Sequence, residues 1–325
     1  MMNTTLQMCE SARQHSAKVL TIFACLLAVA LAGASSALAD GDGDFSLGGA
    51  ANFAVLYEGG SGKTLNFNNG AITGNIGIGG TGQWSDGGGC SGQCAINGVV
   101  EFSASNSGQF SSNSGTTYTP ALSNGVNPLY SQTAVTDALN TVNSLNSTLG
   151  AESGTAQDIN VGNGSNQTIY ASNGTLDSSG NEVFTVSSVS FVNGATLTID
   201  GTSSQYVVLN ITANGPHFGG TIDLTGGITS DQVLFNIVGS NNSLTISTNG
   251  ATETGTFLDP NGSISMNHSV LDGRLFGGDG DNMQIVSGAY IDAPAGPAST
   301  PEPASLVLLG TALLGCAAFC KRRMK

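Results

Sequence analysis

The chain has 325 residues and a formal net charge of −14, yet only 9% of its residues are charged. Between residues 40 and 303 the basic residues are Lys63 and Arg274 alone, against 21 Asp and Glu. A segment so acidic repels nucleic acid and anionic membranes and favours solubility and cation binding. The abundance of Gly, Ser, Thr and Asn would admit disorder, but regularly placed Val, Ile, Leu and Phe argue against it over most of the length.

Both ends read as processing segments. Arg13 and Lys18 precede an apolar run from Val19 to Ala32, and Ser36-Ala37-Leu38-Ala39 supplies the small-residue pattern of a signal-peptidase site. A signal peptide is therefore expected over 1–39, with an exported domain over 40–293. Of six cysteines, the exported part keeps Cys90 and Cys94, and in an oxidising compartment they are expected to close a local disulfide. A zinc site would need further ligands, and the nearest histidine in the exported part is His217. No metal is therefore assigned to the cysteines.

The exported part opens with Asp40 and two further aspartates alternating with glycine, a solvated acidic start that lacks the rest of a calcium loop. From Ser46 to Gly80 the chain reads as short strands, Phe53–Tyr57 and Thr64–Phe67, with a tight turn at Asn69-Gly70. Ile72, Ile76 and Ile78 follow among glycines. Strands this short cannot bury a face alone and must stack on neighbours. Residues 79–126 are rich in Gly and Ser and read as a loop or cap with a strand or two at Ala95-Ile96 and Val99–Phe102. Trp84 in this stretch is expected to fold over the disulfide rather than to serve as an exposed platform for sugars.

One stretch breaks the β pattern. Val135, Ala138, Leu139, Val142, Leu145 and Leu149 are spaced by three and four, which predicts an amphipathic helix over 131–149, capped by Ser131 and Gly150. It needs a flat bed. Short strands then resume from Gln167 to Asp292, among them Thr196–Asp200, Tyr206–Ile211, Thr221–Leu224 and Ser243–Ser247. Several alternate apolar with Thr or Ser, as one buried and one wet face require. Val233–Ile237 is more continuously apolar, which suits a strand covered on both sides and offers the bed for the helix. The pattern predicts a mainly β fold, a β-solenoid first and a β-sandwich second, with the helix alongside.

Candidate outward positions for a polar face are Thr196, Thr198, Thr221, Thr225, Ser243, Thr245, Ser247 and Thr254, with Asp200 and Asp223 interrupting them. An acidic turn at Asp279, Asp281 and Asn282 offers calcium a few oxygens, but it occurs once and a plain surface turn is the simpler reading. Arg274 with Asp272 is either part of a polysaccharide-cleaving site or a surface ion pair. His217 and His268 have no nucleophile motif around them, and no phosphate-cradling glycine loop leads into a helix, so no catalytic residue is assigned.

The C-terminus has three parts. A linker over 294–303 ends in Pro301-Glu302-Pro303, Ala304 to Cys320 is an uncharged stretch of 17 residues, and Lys321, Arg322, Arg323 and Lys325 close the chain. The uncharged stretch is at the lower length limit for a transmembrane helix, and the basic end (321–325) belongs on the cytoplasmic side. This order resembles the PEP-CTERM sorting signal. The resemblance implies passage through the inner membrane, processing by an exosortase-type protease after signal peptidase, and delivery to the cell surface.

A second resemblance covers most of residues 46–291. The motifs that carry it are SLGGAANFAVL at Ser46, ITGNIGI at Ile72, the helix, VLFNI at Val233, GTFLDPNG at Gly255 and LDGRLF at Leu271. They resemble the ice-binding-protein-like family of bacteria and fungi, and the later part resembles choice-of-anchor surface proteins. The family likeness implies a right-handed β-solenoid of triangular section whose first and last strands meet out of sequence order. The expected function is that of a non-catalytic surface or matrix protein that adheres to exopolysaccharide or other surface molecules. Ice binding through a Thr/Ser face is the alternative, and a polysaccharide-acting enzyme the third reading.

Overall fold

A computed structural model describes residues 45–295 apart from 88–93, 107, 113–114, 123–126, 241 and 279–281. The chain divides into two compact units, Met1–Asp42 and Gly43–Lys325, and the described residues all belong to the second. The expected signal peptide, the Pro-Glu-Pro motif, the stretch 304–320 and the basic end lie outside them. Among the described residues no helix is long and apolar enough to cross a membrane.

The chain winds in three-sided coils. The first passes through β1 (Phe53–Tyr57), β2 (Thr64–Asn68) and β3 (Ala71–Thr73). The second uses β4 (Asn75–Ile78), β5 (Gln83–Asp86) and β6 (Cys94–Asn97), and the third β7 (Val100–Ser103), β8 (Phe110–Ser112) and β9 (Thr116–Thr119). After β10 (Leu129–Gln132) the helix α1 (Thr133–Gly150) leads to β11 (Thr155–Ala156), β12 (Ile159–Val161) and β13 (Asn166–Tyr170). A short β14 (Thr175–Leu176) precedes β15 (Glu182–Val186), β16 (Val189–Phe191) and β17 (Thr196–Asp200). Next come β18 (Val207–Ile211), β19 (His217–Phe218), β20 (Thr221–Thr225), β21 (Val233–Ile237) and β22 (Ser243–Ile246). The last coils are built from β23 (Thr252–Asp259), β24 (Ser263–Asn267), β25 (Val270–Gly277), β26 (Met283–Val286) and β27 (Tyr290–Asp292).

Stacking these coils makes three faces. Face A runs β10-β7-β4-β1-β25-β23-β21-β18-β15-β11, and face B runs β12-β16-β19-β22-β24-β26-β2-β5-β8. Face C begins β13-β17-β20 and continues over the first halves of β23 and β25 to β27, β3, β6 and β9. The pairing is parallel, as in β1 with β25 and β2 with β26; the short β14 runs antiparallel to β15. Sequence order and spatial order therefore differ. The chain starts in the middle of the stack and winds to one end. It crosses back along α1 and winds up to meet its own first coil.

Residues 79–126 contain β5 to β9 and thus complete two coils, where the sequence suggested a loop or cap. Their inward residues Trp84, Ile96, Phe102 and Tyr118 are buried, although only Ala95-Ile96 and Val99–Phe102 read as strands in the sequence. Trp84 stacks between Phe67 and Phe110, at ring separations of 5.8 and 6.4 Å, and donates to the Tyr118 hydroxyl at 3.1 Å. An exposed sugar platform at Trp84 is thereby excluded. Cys94 is disulfide-bonded, and Cys90 lies outside the described residues.

The middle of face A is buried on both sides, as the largely apolar run of β21 requires. Phe184, Leu209, Phe235, Phe257 and Leu275 form the inward ladder, with Phe235 and Phe257 stacked at 4.6 Å. Outside it, α1 packs Val135, Ala138, Leu139, Val142 and Leu149 against Leu56, Leu234, Leu258 and Phe276. Gly77 leaves the space that Val135 fills, since a Cβ there would stand 3.2 Å from its Cγ1. The helix begins two residues later than its apolar spacing suggested, because Ser131 belongs to β10, and Gly150 is its last residue rather than a cap beyond it.

Asparagines complete this interface. Asn236 and Asn210 are in register under the helix, and Asn236 donates to the Asn210 carbonyl at 2.8 Å. Asn146 of α1 donates to Asn236 at 2.7 Å and to the Ile237 carbonyl at 2.8 Å, while Asn210 donates to the Leu149 carbonyl at 2.6 Å. Buried amides with their hydrogen bonds made fix the helix along the stack, at about 1 kcal/mol per bond.

Candidate functional site

Because A is covered by the helix, faces B and C are the two sheet surfaces open to a ligand. The outward row along B reads Asn160, Ser190, His217, Thr245, Ser265, Gln284, Asn66, Ser85 and Ser111, one residue from each of nine strands. Flanking rows add Ser243, Ser263, Thr64 and Gln83 on one side and Ser247, Asn267, Val286 and Asn68 on the other. None of these is an acid, a lysine or an arginine. Their polar groups bond to one another, as Ser263 does to Ser243 and Ser247 to Asn267, both at 2.8 Å. The result is a flat sheet dominated by hydroxyls and amides, with the His217 imidazole and Val286 among them.

Face C differs. Thr168, Thr198 and Asp223 share one outward row, while further along the stack Asp272 lies beside Asp292. Asp200 lies beside Thr225, which donates to it at 3.0 Å. Burial holds the Asp272 carboxyl above the usual range, and the charges of Asp292 and Asp231 push it the same way, against a bond from Ser230. The sequence-derived candidates thus divide. Thr196, Thr198, Thr221, Thr225 and Thr254 are on C, whereas Ser243, Thr245 and Ser247 are on B. Alternation gave the outward side correctly but could not tell one face from another. The residues missed, Asn66, Ser85, Ser265 and Gln284, join B only through pairing between distant coils.

Arg274 is buried at 1% exposure and pairs with Asp231, so it is not a surface partner of Asp272. Its guanidinium also donates to the Ala51 carbonyl at 3.0 Å and the Pro294 carbonyl at 3.0 Å. It therefore ties the segment entering the fold to the segment leaving it. Phe45, Ala51, Asp231, Arg274 and Ala295 line a cleft of about 300 Å³ at this corner between C and A. With every carbonyl and carboxylate partner structural, the geometry is that of a clasp.

Two inward carboxyls lie on β23. Glu253 is fully buried and its carboxyl is pushed up to about 9 by burial, against only its own backbone amide. Asp259 is pushed up to about 7 by burial, opposed by the amides of Leu244 and Gly262. Asn282, the described member of the calcium turn, accepts from the Thr64 amide at 2.8 Å across the seam of the stack; Asp279 and Asp281 lie outside the described residues. Among the described residues no group of three or more His, Cys, Asp or Glu could hold a metal.

Comparison with known proteins agrees with this architecture. An ice-binding protein from an Antarctic bacterium of the Flavobacteriaceae superposes with a TM-score of 0.52 at 18% identity, over 79% of this chain and 48% of its own. Ice-binding proteins from the Antarctic ascomycete Antarctomyces psychrotrophicus (TM-score 0.44, 18% identity, 77% of this chain and 98% of its own) and from an Arctic yeast (0.48, 17%, 78% and 96%) are also similar. Comparison with curated protein sequences finds no match. The PEP-CTERM protein-sorting motif matches residues 299–323, which implies export and processing by exosortase-type machinery. The model of the ice-binding-like adhesive domain matches residues 31–285, and the chain belongs to that family.

Proposed function

We propose that the protein is an exported, non-catalytic adhesin of the cell surface or extracellular matrix, and that face B is its adhesive surface. The observation that carries this is the polar row, free of acids, lysines and arginines, that crosses nine strands without interruption on a chain otherwise strongly acidic. Such a surface meets hydrated, uncharged matter without desolvating a charge, and its rigid strands lose little entropy on contact. Signal peptidase and an exosortase-type protease are the expected partners in reaching the surface, exopolysaccharide a ligand there. The test uses cells carrying the full chain, washed from an uncharged hydrophilic surface under flow. Introducing charge with Ser265→Lys and Gln284→Lys should release the cells at least about tenfold faster; retention equal to the parent would remove face B from the account.

Ice binding is the second reading. It is favoured by Thr245 and Ser265 standing in register beside the hydrogen-bonded Ser243 and Ser263, a patch of regularly spaced hydroxyls. Thermal hysteresis that disappears in Thr245→Tyr would establish it, and its absence in the parent protein would dismiss it.

A further inference from the structure

Face C carries two exposed tyrosines, Tyr170 and Tyr290, beside its outward carboxylates, and a third, Tyr130, is on β10 of face A. Tyr290 is 44% exposed and lies in a row with Val270, Ala71 and Ala95, a smooth apolar strip on four adjacent strands. Three strand spacings make it about 14 Å long. The next outward row holds Asp272 and Asp292 side by side, so the phenol ring and both carboxylates border one patch. At the far end of the same face Tyr170, 51% exposed, stands in register with Asp200. Five strand spacings, about 24 Å, separate the two tyrosines along the stack. None of the outward residues of C described above is a lysine or arginine, so the carboxylates of this patch meet no counter-charge from the face itself.

An aromatic face next to carboxylates recognises a particular chemistry. The ring attracts the C–H face of a pyranose or a cation above it. The carboxylates accept charge-assisted hydrogen bonds from an ammonium. One ligand class supplies both in each repeat, a polymer of amino sugars with free amines. We propose that face C binds a cationic amino-sugar polysaccharide, stacked on Tyr290 and held by Asp272 and Asp292, with Tyr170 and Asp200 as a second contact. A stiff polymer suits a flat face with no pocket, since it surrenders little conformational freedom on docking. The mutual repulsion of Asp272 and Asp292 is relieved by the bound ammonium, which adds to the gain. This site is independent of face B.

The test is calorimetric titration of the full chain, in mild detergent, with chitosan hexamer, its fully N-acetylated counterpart and hexalysine. Chitosan should bind, and the acetylated hexamer at least tenfold more weakly. Tyr290→Ala and the pair Asp272→Asn with Asp292→Asn should each weaken chitosan binding at least tenfold, whereas Tyr290→Phe should bind as the parent does. Absence of binding, hexalysine binding as tightly as chitosan, or full affinity in Tyr290→Ala would each overturn the proposal. The flow assay of face B, run on Tyr290→Ala, should read the parent value, so loss of one reading does not mimic loss of the other.

Discussion

Faces B and C are made of the same kind of strand, with the same alternation and the same coil spacing, yet they present opposite surfaces. B offers mainly hydroxyls and amides, without acids, lysines or arginines, and C offers tyrosines and carboxylates. The difference lies in which residue types occupy the outward positions, because the backbone scaffold is shared. A three-sided coil can therefore carry two unlike surfaces and keep one core, each varied without disturbing the other. The core is less indifferent. Behind face C sits Glu253 and at the A–B corner Asp259, both among apolar neighbours.

Those carboxyls give the largest expected effect. Burial makes both keep their proton above the ordinary carboxylate range, so between that range and about 7 for Asp259, or about 9 for Glu253, the folded chain holds protons the unfolded chain releases. Stability is fully present below that range and falls as pH rises through it. The melting temperature should drop from pH 5 to pH 9, by several degrees. Asp259→Asn should lessen the slope below about pH 7, and Glu253→Gln should lessen it throughout and remove it above about pH 7. A flat profile in the parent would show that neither carboxyl is confined as described.

Next is the corner that turns face C into face A. Gly255 and Gly273 pair there at φ of +131° and +154°, and a Cβ on Gly273 would collide with the Gly255 carbonyl. Gly273→Ala should cost about 3 kcal/mol, read by denaturant unfolding, because both strain and overlap must be accommodated. Since β23 and β25 serve faces C and A and not B, this variant should weaken binding at C more than at B.

A smaller and selective effect sharpens the contrast. Ser265→Asp, which gives B the charge typical of C, should reduce surface retention several-fold while changing stability by less than about 0.5 kcal/mol, because the site is outward and solvated. The smallest binding effect belongs to the covered face. Asn236→Ala removes bonds to Asn146 and Asn210 and should lower stability by about 1–3 kcal/mol, with binding at B and C unchanged.

Much of the fold was legible because parallel strands covered on both sides read as largely apolar runs and half-covered ones alternate. Val233–Ile237 and Thr196–Asp200 are of these two kinds, and the stripe from Val135 to Leu149 gave the helix. Beyond them the signal failed for physical reasons. In 79–126 each coil buries a few large residues, and the Gly and Ser between them mask the repeat. Pairing across the seam, such as Asn66 beside Gln284, joins residues from opposite ends of the chain, and no local pattern encodes it. For the same reason the long reach from Arg274 to Asp231, Ala51 and Pro294 was hidden, and Asp272 looked like the natural partner.

The clasp at Arg274 also decides how the molecule bears load. A coil stack tethered by an end strand can be unzipped one coil at a time, each step breaking a single ladder. Here β27 is hemmed in by β25 and β3, and β1 by β25 and β4. Tension applied through Pro294 must shear a strand out of the middle of the stack, against two ladders and the Arg274–Asp231 ion pair at once. Pro294 leaves the fold at the corner across from face B, so attachment through the segment that follows would leave that face turned outward.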